Sequence, residues 1–87
     1  MDTTLKSILE SLLFVTDKPI TTAKIKSLLK NEYSLEQIQE TLEKMKTEFY
    51  SNTHGIHLEE IAGGYQFITN PLNAAYVKDF YSSKPMR

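Results

Sequence analysis

The sequence predicts a small α+β domain, because helical spacing of apolar residues in its first half gives way to two-residue spacing in its second half. Three amphipathic helical patterns come first, and a β-hairpin from about Gly55 to Thr69 follows, with its predicted turn at Gly63-Gly64. A last helical pattern begins near Asn70. Two helices joined by a tight turn and followed by a hairpin form a winged helix, and 87 residues suffice for one such core.

The first helix is predicted from about Thr4 to Val15, with Asp2 or Thr3 as its cap. Its core stripe, at three- and four-residue spacing, consists of Leu5, Ile8, Leu9, Leu12 and Val15. Leu13 falls at the edge of this stripe, and Phe14 falls opposite its centre, among polar neighbours. Phe14 is therefore either exposed for a partner or, if the helix ends early, folded under the wing. The sequence leaves both readings open.

The second and third helices form the predicted helix-turn-helix. Thr21 or Thr22 opens the second helix, whose inward residues are Ile25, Leu28 and Leu29 and whose outward residues are Lys24, Lys26 and Lys30. Ser34 and Gln37 are spaced for a capping box at the start of the third helix. The apolar face of that helix consists of Leu35, Ile38, Leu42, Met45 and Phe49.

Alternation predicts the two strands of the wing. The inward residues are Ile56 and Leu58 on the first strand and Tyr65 and Phe67 on the second. Gly63 and Gly64 suit the positive φ angles of a type I′ turn. The alternation slips at Glu59-Glu60-Ile61, which predicts a bulge that returns Ile61 to a buried side.

The last helix is predicted to begin with Asn70 as its N-cap and Pro71 in its first turn, and to run through Leu72, Ala75, Tyr76 and Phe80. Its aromatic residues, Tyr76, Phe80 and Tyr81, suit either the core of a small domain or a partner surface. The segment Ser82-Ser83-Lys84-Pro85 ends the helix. The predicted domain therefore covers residues 1–81, and residues 82–87 begin a linker.

Charge disfavours nucleic acid as the partner. The formal net charge is -1. The third helix, which would enter the major groove, carries Glu36, Glu40, Glu43 and Glu48 against only Lys44 and Lys46 between Leu35 and Tyr50. Phosphates would be repelled by this helix. The three outward lysines of the second helix keep a winged-helix transcription regulator as the alternative.

No catalytic, cofactor or metal site is predicted. His54 and His57 are the only histidines, their spacing matches no zinc motif, and we expect both to be solvated. The chain has no cysteine, and no nucleophile is paired with a base. Its longest apolar run, Leu12–Val15, is too short to span a bilayer. The expectation is a cytoplasmic protein that is not an enzyme and does not bind membranes.

Three segments carry a resemblance to a known family. They are Leu5-x-x-Ile8-Leu9-Glu10-x-Leu12-Leu13-Phe14-Val15-Thr16-x-x-Pro19-Ile20, Ile56-x-Leu58-x-x-Ile61-Ala62-Gly63-Gly64-Tyr65-Gln66-Phe67-x-Thr69, and Tyr76-Val77. Together they make the chain similar to the N-terminal winged-helix domain of the segregation and condensation protein B (ScpB) family. The resemblance spans nearly the whole chain.

The resemblance implies an accessory subunit of the bacterial SMC-kleisin complex, which acts in chromosome condensation and segregation at the nucleoid. It implies a homodimer formed by this domain and no enzymatic activity, while the charge pattern described above predicts no direct specific DNA binding. The kleisin ScpA and SMC would be engaged by the full-length protein, through a second winged-helix domain beyond Arg87. The candidate interaction residues are Leu13, Phe14, Tyr76, Phe80 and Tyr81.

Overall fold

A computed structural model describes residues 4–83 and confirms the predicted order of elements. The first three helices, α1 (Leu5–Val15), α2 (Thr22–Leu28) and α3 (Leu35–Phe49), precede an antiparallel hairpin of β1 (Ile56–Ile61) and β2 (Gly64–Thr69). A 3₁₀ turn at Pro71–Asn73 then leads into α4 (Ala74–Ser83). The architecture is a winged helix with a fourth helix after the wing.

Short polar side chains begin the helices. The Thr21 hydroxyl accepts from the Lys24 amide at 3.1 Å and caps α2. The predicted capping box is present, since Ser34 Oγ accepts from the Gln37 amide at 3.0 Å and Gln37 Oε1 accepts from the Ser34 amide at 2.9 Å. At α1 the cap is Thr4, so the predicted cap at residue 2 or 3, which lies outside the described residues, is wrong.

The core is built from the first three helices and the hairpin. Its buried residues are Leu9, Leu13, Ile25, Ile38, Leu42, Met45, Leu58 and Tyr65. The predicted stripe of α1 is wrong at its edge, because Leu13 is 2% exposed and Val15 is 74% exposed. On a helical wheel, Val15 and Leu13 lie on opposite sides of Leu5, Ile8, Leu9 and Leu12, about 70° and 90° from the centre of these four, so the packing of α1 against α3 and β2 selects between them. Leu28 and Leu35, also predicted to face inward, are exposed.

The hairpin turn lies one residue earlier than predicted. Ile61 pairs with Gly64, so the turn residues are Ala62 at φ 51° and Gly63 at φ 81°. Both have the positive φ that a type I′ turn requires, and an alanine supplies one of them. Pairing is continuous from Ile56 to Ile61, which rules out the predicted bulge, and Ile61 stays at the surface.

Gly64 is needed for close approach and not for the turn. The segment before α2 pairs with the wing, because the Ile20 amide donates to the Tyr65 carbonyl at 2.9 Å and the Tyr65 amide donates to the Ile20 carbonyl at 2.8 Å. A Cβ on Gly64 would lie 2.8–2.9 Å from the Ile20 backbone. Glycine at this position therefore lets the wing lie directly against the body of the domain.

The last helix projects from the body. None of the side chains from Ala74 to Ser82 is buried, and the main contact of α4 is with the 3₁₀ turn that precedes it. The radius of gyration is 14.8 Å, against about 12 Å for a compact chain of this length. Helix α4 continues to Ser83, two residues into the predicted linker, and residues 84–87 lie outside the described part of the chain.

Candidate interaction site

Phe14, the candidate anchor on α1, is at the surface. Its side chain is 81% exposed, and α1 continues past it to Val15. The alternative in which the helix ends early and the ring folds under the wing is therefore wrong. Leu13, the other candidate on α1, is buried in the core against the rest of the fold, so the expectation that it lies at an interaction surface is corrected.

Beside Phe14, α1 and the wing border an open apolar depression with a volume of about 410 Å³. We call it the α1-wing groove; it is lined by Glu10, Ser11, Phe14, Val15, Phe49, Ile56 and Phe67. The Phe49 and Phe67 rings meet edge to face, with centroids 5.0 Å apart. From the sequence, Val15, Phe49, Ile56 and Phe67 were all predicted to face the core. They do lie on the apolar side of their helices and strands, as predicted. That this side borders an open groove is visible only in the tertiary structure.

The aromatic residues of α4 form a second apolar surface, which we call the α4 aromatic face: Tyr76, Phe80 and Tyr81. Their exposed fractions are 77%, 56% and 70%. The Phe80 and Tyr81 rings are in edge-to-face contact at 5.6 Å. Of the two readings from the sequence, core or partner surface, the structure excludes the core for these side chains.

The two histidines are structural, and the expectation that both are solvated is wrong. His57 is 7% exposed, and its Nε2 lies 3.0 Å from the Ser51 carbonyl oxygen. His54 is half-buried, with its ring 5.3 Å from that of Phe49. Among residues 4–83, no three histidine, aspartate or glutamate side chains are grouped to hold a metal ion.

The exposed face of α3 keeps its acidic character. Glu48 pairs with Lys6 of α1 at 2.7 Å, and this hydrogen bond raises the pKa of Lys6. Glu43 accepts a hydrogen bond from the Tyr65 hydroxyl at 2.8 Å. These contacts hold α3 to the body and offer no positive surface to a phosphate backbone.

The lysines on which the DNA-binding alternative depends do not form one helical face. Helix α2 ends at Leu28, and Lys30 follows it with a left-handed φ of 57°. Lys26 donates to the Asn31 side chain at 3.0 Å, and Lys24 is exposed. The described helices also include none long and apolar enough to cross a membrane.

Comparisons with known proteins agree with this fold. A family model described as segregation and condensation complex subunit ScpB matches residues 7–87. Segregation and condensation protein B of Clostridium acetobutylicum is 36% identical over 73 residues, which are 84% of this chain and 35% of that protein. Its counterpart in Syntrophotalea carbinolica is 34% identical over 88 residues, covering 100% of this chain and 44% of that protein. The chain thus spans less than half the length of these curated relatives.

Solved structures give the same result. ScpB from Mycobacterium tuberculosis superposes with a TM-score of 0.80 at 28% identity, over 95% of this chain and 53% of that chain. A structure described as a dimer of ScpB N-terminal domain complexed with ScpA peptide gives a TM-score of 0.77 at 28% identity. That match covers 86% of this chain and 91% of the other, so the similarity extends over nearly all of that domain.

Proposed function

This chain belongs to the family of segregation and condensation complex subunit ScpB, and on this basis we propose that it is the homodimerisation domain of an accessory subunit of a bacterial SMC-kleisin complex. The subunit acts in chromosome condensation and segregation, in the cytoplasm at the nucleoid. It has no enzymatic activity and binds no cofactor. The kleisin ScpA and SMC are engaged by the whole protein.

The observation that carries the proposal is the exposed Phe14 beside the α1-wing groove. Phe14 is 81% exposed and the neighbouring Val15 is 74% exposed. Together they form an apolar patch that a partner would cover. The solved N-terminal domain that this chain resembles is described as a dimer. On this ground we assign the patch to a second copy.

The mechanism is geometric. A two-fold dimer places two copies of the whole protein, and so two kleisin-binding regions, at a fixed separation. Once one region has bound, the other binds at a high effective concentration, which raises the overall affinity without any new contact. The domain thus contributes by holding its partners together, and no chemical step is required of it.

Replacing Phe14 with aspartate tests the dimer. Phe14→Asp should be monomeric by light scattering at concentrations where the parent chain is dimeric, because a two-fold axis brings the new charge into the interface twice. Helical circular dichroism should be retained, since the side chain is exposed. Leu35→Asp is the matched control: it adds the same charge to an exposed leucine outside the groove, in the first turn of α3, where an acidic residue is favourable.

The control should remain dimeric. A parent chain that is monomeric at all concentrations would overturn the proposed dimerisation. A folded and still dimeric Phe14→Asp would show that the interface excludes the groove. The membership of the complex is tested separately, by purifying the full-length protein from cell extract, where SMC and a kleisin are expected in the eluate.

A further inference from the structure

We infer that the α4 aromatic face of one copy docks in the α1-wing groove of a second copy, and that the second copy returns the same contact. The inference rests on the proposed dimer and specifies how it is built. Two apolar surfaces of this chain, one convex and one concave, would cover each other across a two-fold axis. Such an exchange is self-complementary, as a closed dimer requires.

Helix α4 needs a surface to pack on. It has ten residues, and a helix of this length is marginal in water without tertiary packing. Tyr76 and Tyr81 are 77% and 70% exposed, and the longest dimension of the molecule is 44 Å against 30 Å for the other two. The projecting helix thus has the form of an arm that carries aromatic side chains away from the body.

The groove has the complementary form. Its aromatic lining comes from Phe14, Phe49 and Phe67, and Ile56 of the wing is partly exposed beside them. Aromatic rings pack favourably edge to face, as Phe49 and Phe67 already do within the groove. A volume of about 410 Å³ is large enough to receive aromatic side chains from another helix.

The two surfaces also match in charge. On a helical wheel, Lys78 and Asp79 flank the α4 aromatic face on opposite sides. The groove carries one charged lining residue, Glu10, which is exposed and lies next to Ser11. A Lys78 that approaches Glu10 of the other copy would fix the direction in which α4 lies in the groove.

The available area requires both contacts. With the exposed fractions given above, the three aromatic side chains of one α4 offer about 400 Å². Two reciprocal contacts, with the groove surface that they cover, bury about 1,000 Å², the lower bound for a specific interface, and one contact alone falls well short of it. Both contacts are needed, so disabling either surface should dissociate the dimer.

The start of α4 is fixed at the base of the wing. Asn70 is 1% exposed; its amide donates to the Gly55 carbonyl at 2.8 Å, and its side-chain nitrogen donates to the His54 carbonyl at 2.9 Å. These bonds hold the start of the arm at the base of the wing, beside Thr69, which pairs with the groove residue Ile56. Arm and groove are thus neighbours at this base, where a two-fold axis would bring each arm over the other groove.

Site-directed crosslinking tests the exchange, because the chain has no cysteine of its own. Ser11→Cys labels the groove, and Ser82→Cys labels α4 off its aromatic face. A short bis-maleimide should join the two variants when they are mixed, giving mostly dimers with one chain of each kind. Groove-to-groove dimers from Ser11→Cys alone, or no mixed product from a dimeric parent, would overturn the inference and leave the proposed dimer standing.

A second measurement uses Tyr76→Asp, which should lose the dimer by light scattering as Phe14→Asp does. Ala75→Asp is its control, since it adds the same charge next in sequence but on the polar side of α4, and it should stay dimeric. A dimeric Tyr76→Asp would overturn the inference. The same would follow if the doubly labelled chain, Ser11→Cys with Ser82→Cys, crosslinked only within one copy. A monomeric parent would instead overturn the proposed function itself.

Discussion

Helices α3 and α4 carry similar apolar stripes, yet one forms the centre of the domain and the other lies outside it. Ile38, Leu42 and Met45 of α3 are 0–1% exposed. Tyr76 and Tyr81 of α4 are at least 70% exposed. The spacing of apolar residues predicts that a helix has one apolar face, but it does not predict whether that face packs on the same chain or on another.

The difference between the two helices lies in what surrounds them. Helix α3 is packed against α1, α2 and β1, so its stripe meets apolar side chains on three sides. Helix α4 leaves the wing after Asn70 and meets mainly its own 3₁₀ turn. Substitutions in α3 should therefore act on folding, whereas substitutions in α4 should act on association.

The largest expected effect is at the centre of α3. Leu42→Ala removes a side chain that is 0% exposed and leaves a cavity among α1, α2 and the wing. We expect the free energy of unfolding to fall by about 3 kcal/mol, within the range for buried leucines. Chemical denaturation measures it. A loss of less than about 1 kcal/mol would mean that α3 does not organise the core.

The next largest loss of stability is expected at the two glycines of the wing. The wing lies between α3 and α4 in the sequence. Gly64→Ala should lower the free energy of unfolding by about 2 kcal/mol, because its Cβ would overlap the Ile20 backbone. Gly63→Ala should lower it by about 1 kcal/mol, because alanine must adopt a φ of 81°, although no atom lies within 4 Å of its Cβ. Chemical denaturation of both variants ranks them. Equal losses would contradict separate roles in packing and in the turn.

Local signals in the sequence predicted the fold well. Ser34 with Gln37, and Asn70 with Pro71, act within one turn of their own helices, and both pairs behave as predicted. The turn of the wing was misplaced because Ala62 takes a positive φ that its side chain disfavours, and because Ile20, more than 40 residues earlier, fixes β2. The candidate site was predicted in part: Phe14 is exposed as one reading required, while the choice between Leu13 and Val15 depends on tertiary packing.

A smaller effect concerns the polar side of α3. Tyr65→Phe removes the hydrogen bond to Glu43 and should lower the free energy of unfolding by about 1 kcal/mol, since the carboxylate is half-exposed and can be hydrated instead. Burial, and then the hydrogen bond to Glu43, raise the pKa of the Tyr65 phenol above its ordinary value of 10.0. The folded state thus holds this proton more tightly than the unfolded state.

The sign of the pH dependence follows from this raised pKa. The contribution of Tyr65 is complete below pH 10.0 and declines as the pH rises beyond that value, because the unfolded chain loses the proton first. As the pH rises above 10.0, the free energy of unfolding should therefore fall more steeply for the parent than for Tyr65→Phe, as measured by chemical denaturation. Parallel pH profiles for the two proteins would show that the phenol has a similar environment in the folded and unfolded states.

The smallest effect on folding is expected in α4. Tyr76→Ala removes a large aromatic side chain, but one that is 77% exposed and leaves no cavity, and alanine favours the helix. Extrapolated to low protein concentration, where association no longer contributes, the free energy of unfolding should change by less than about 0.5 kcal/mol. At high concentration the parent should gain stability from dimer formation and the variant should not, so their midpoints should separate as concentration rises. A loss at low concentration comparable to that of Leu42→Ala would mean that α4 packs within its own chain, and the contrast with α3 would not hold.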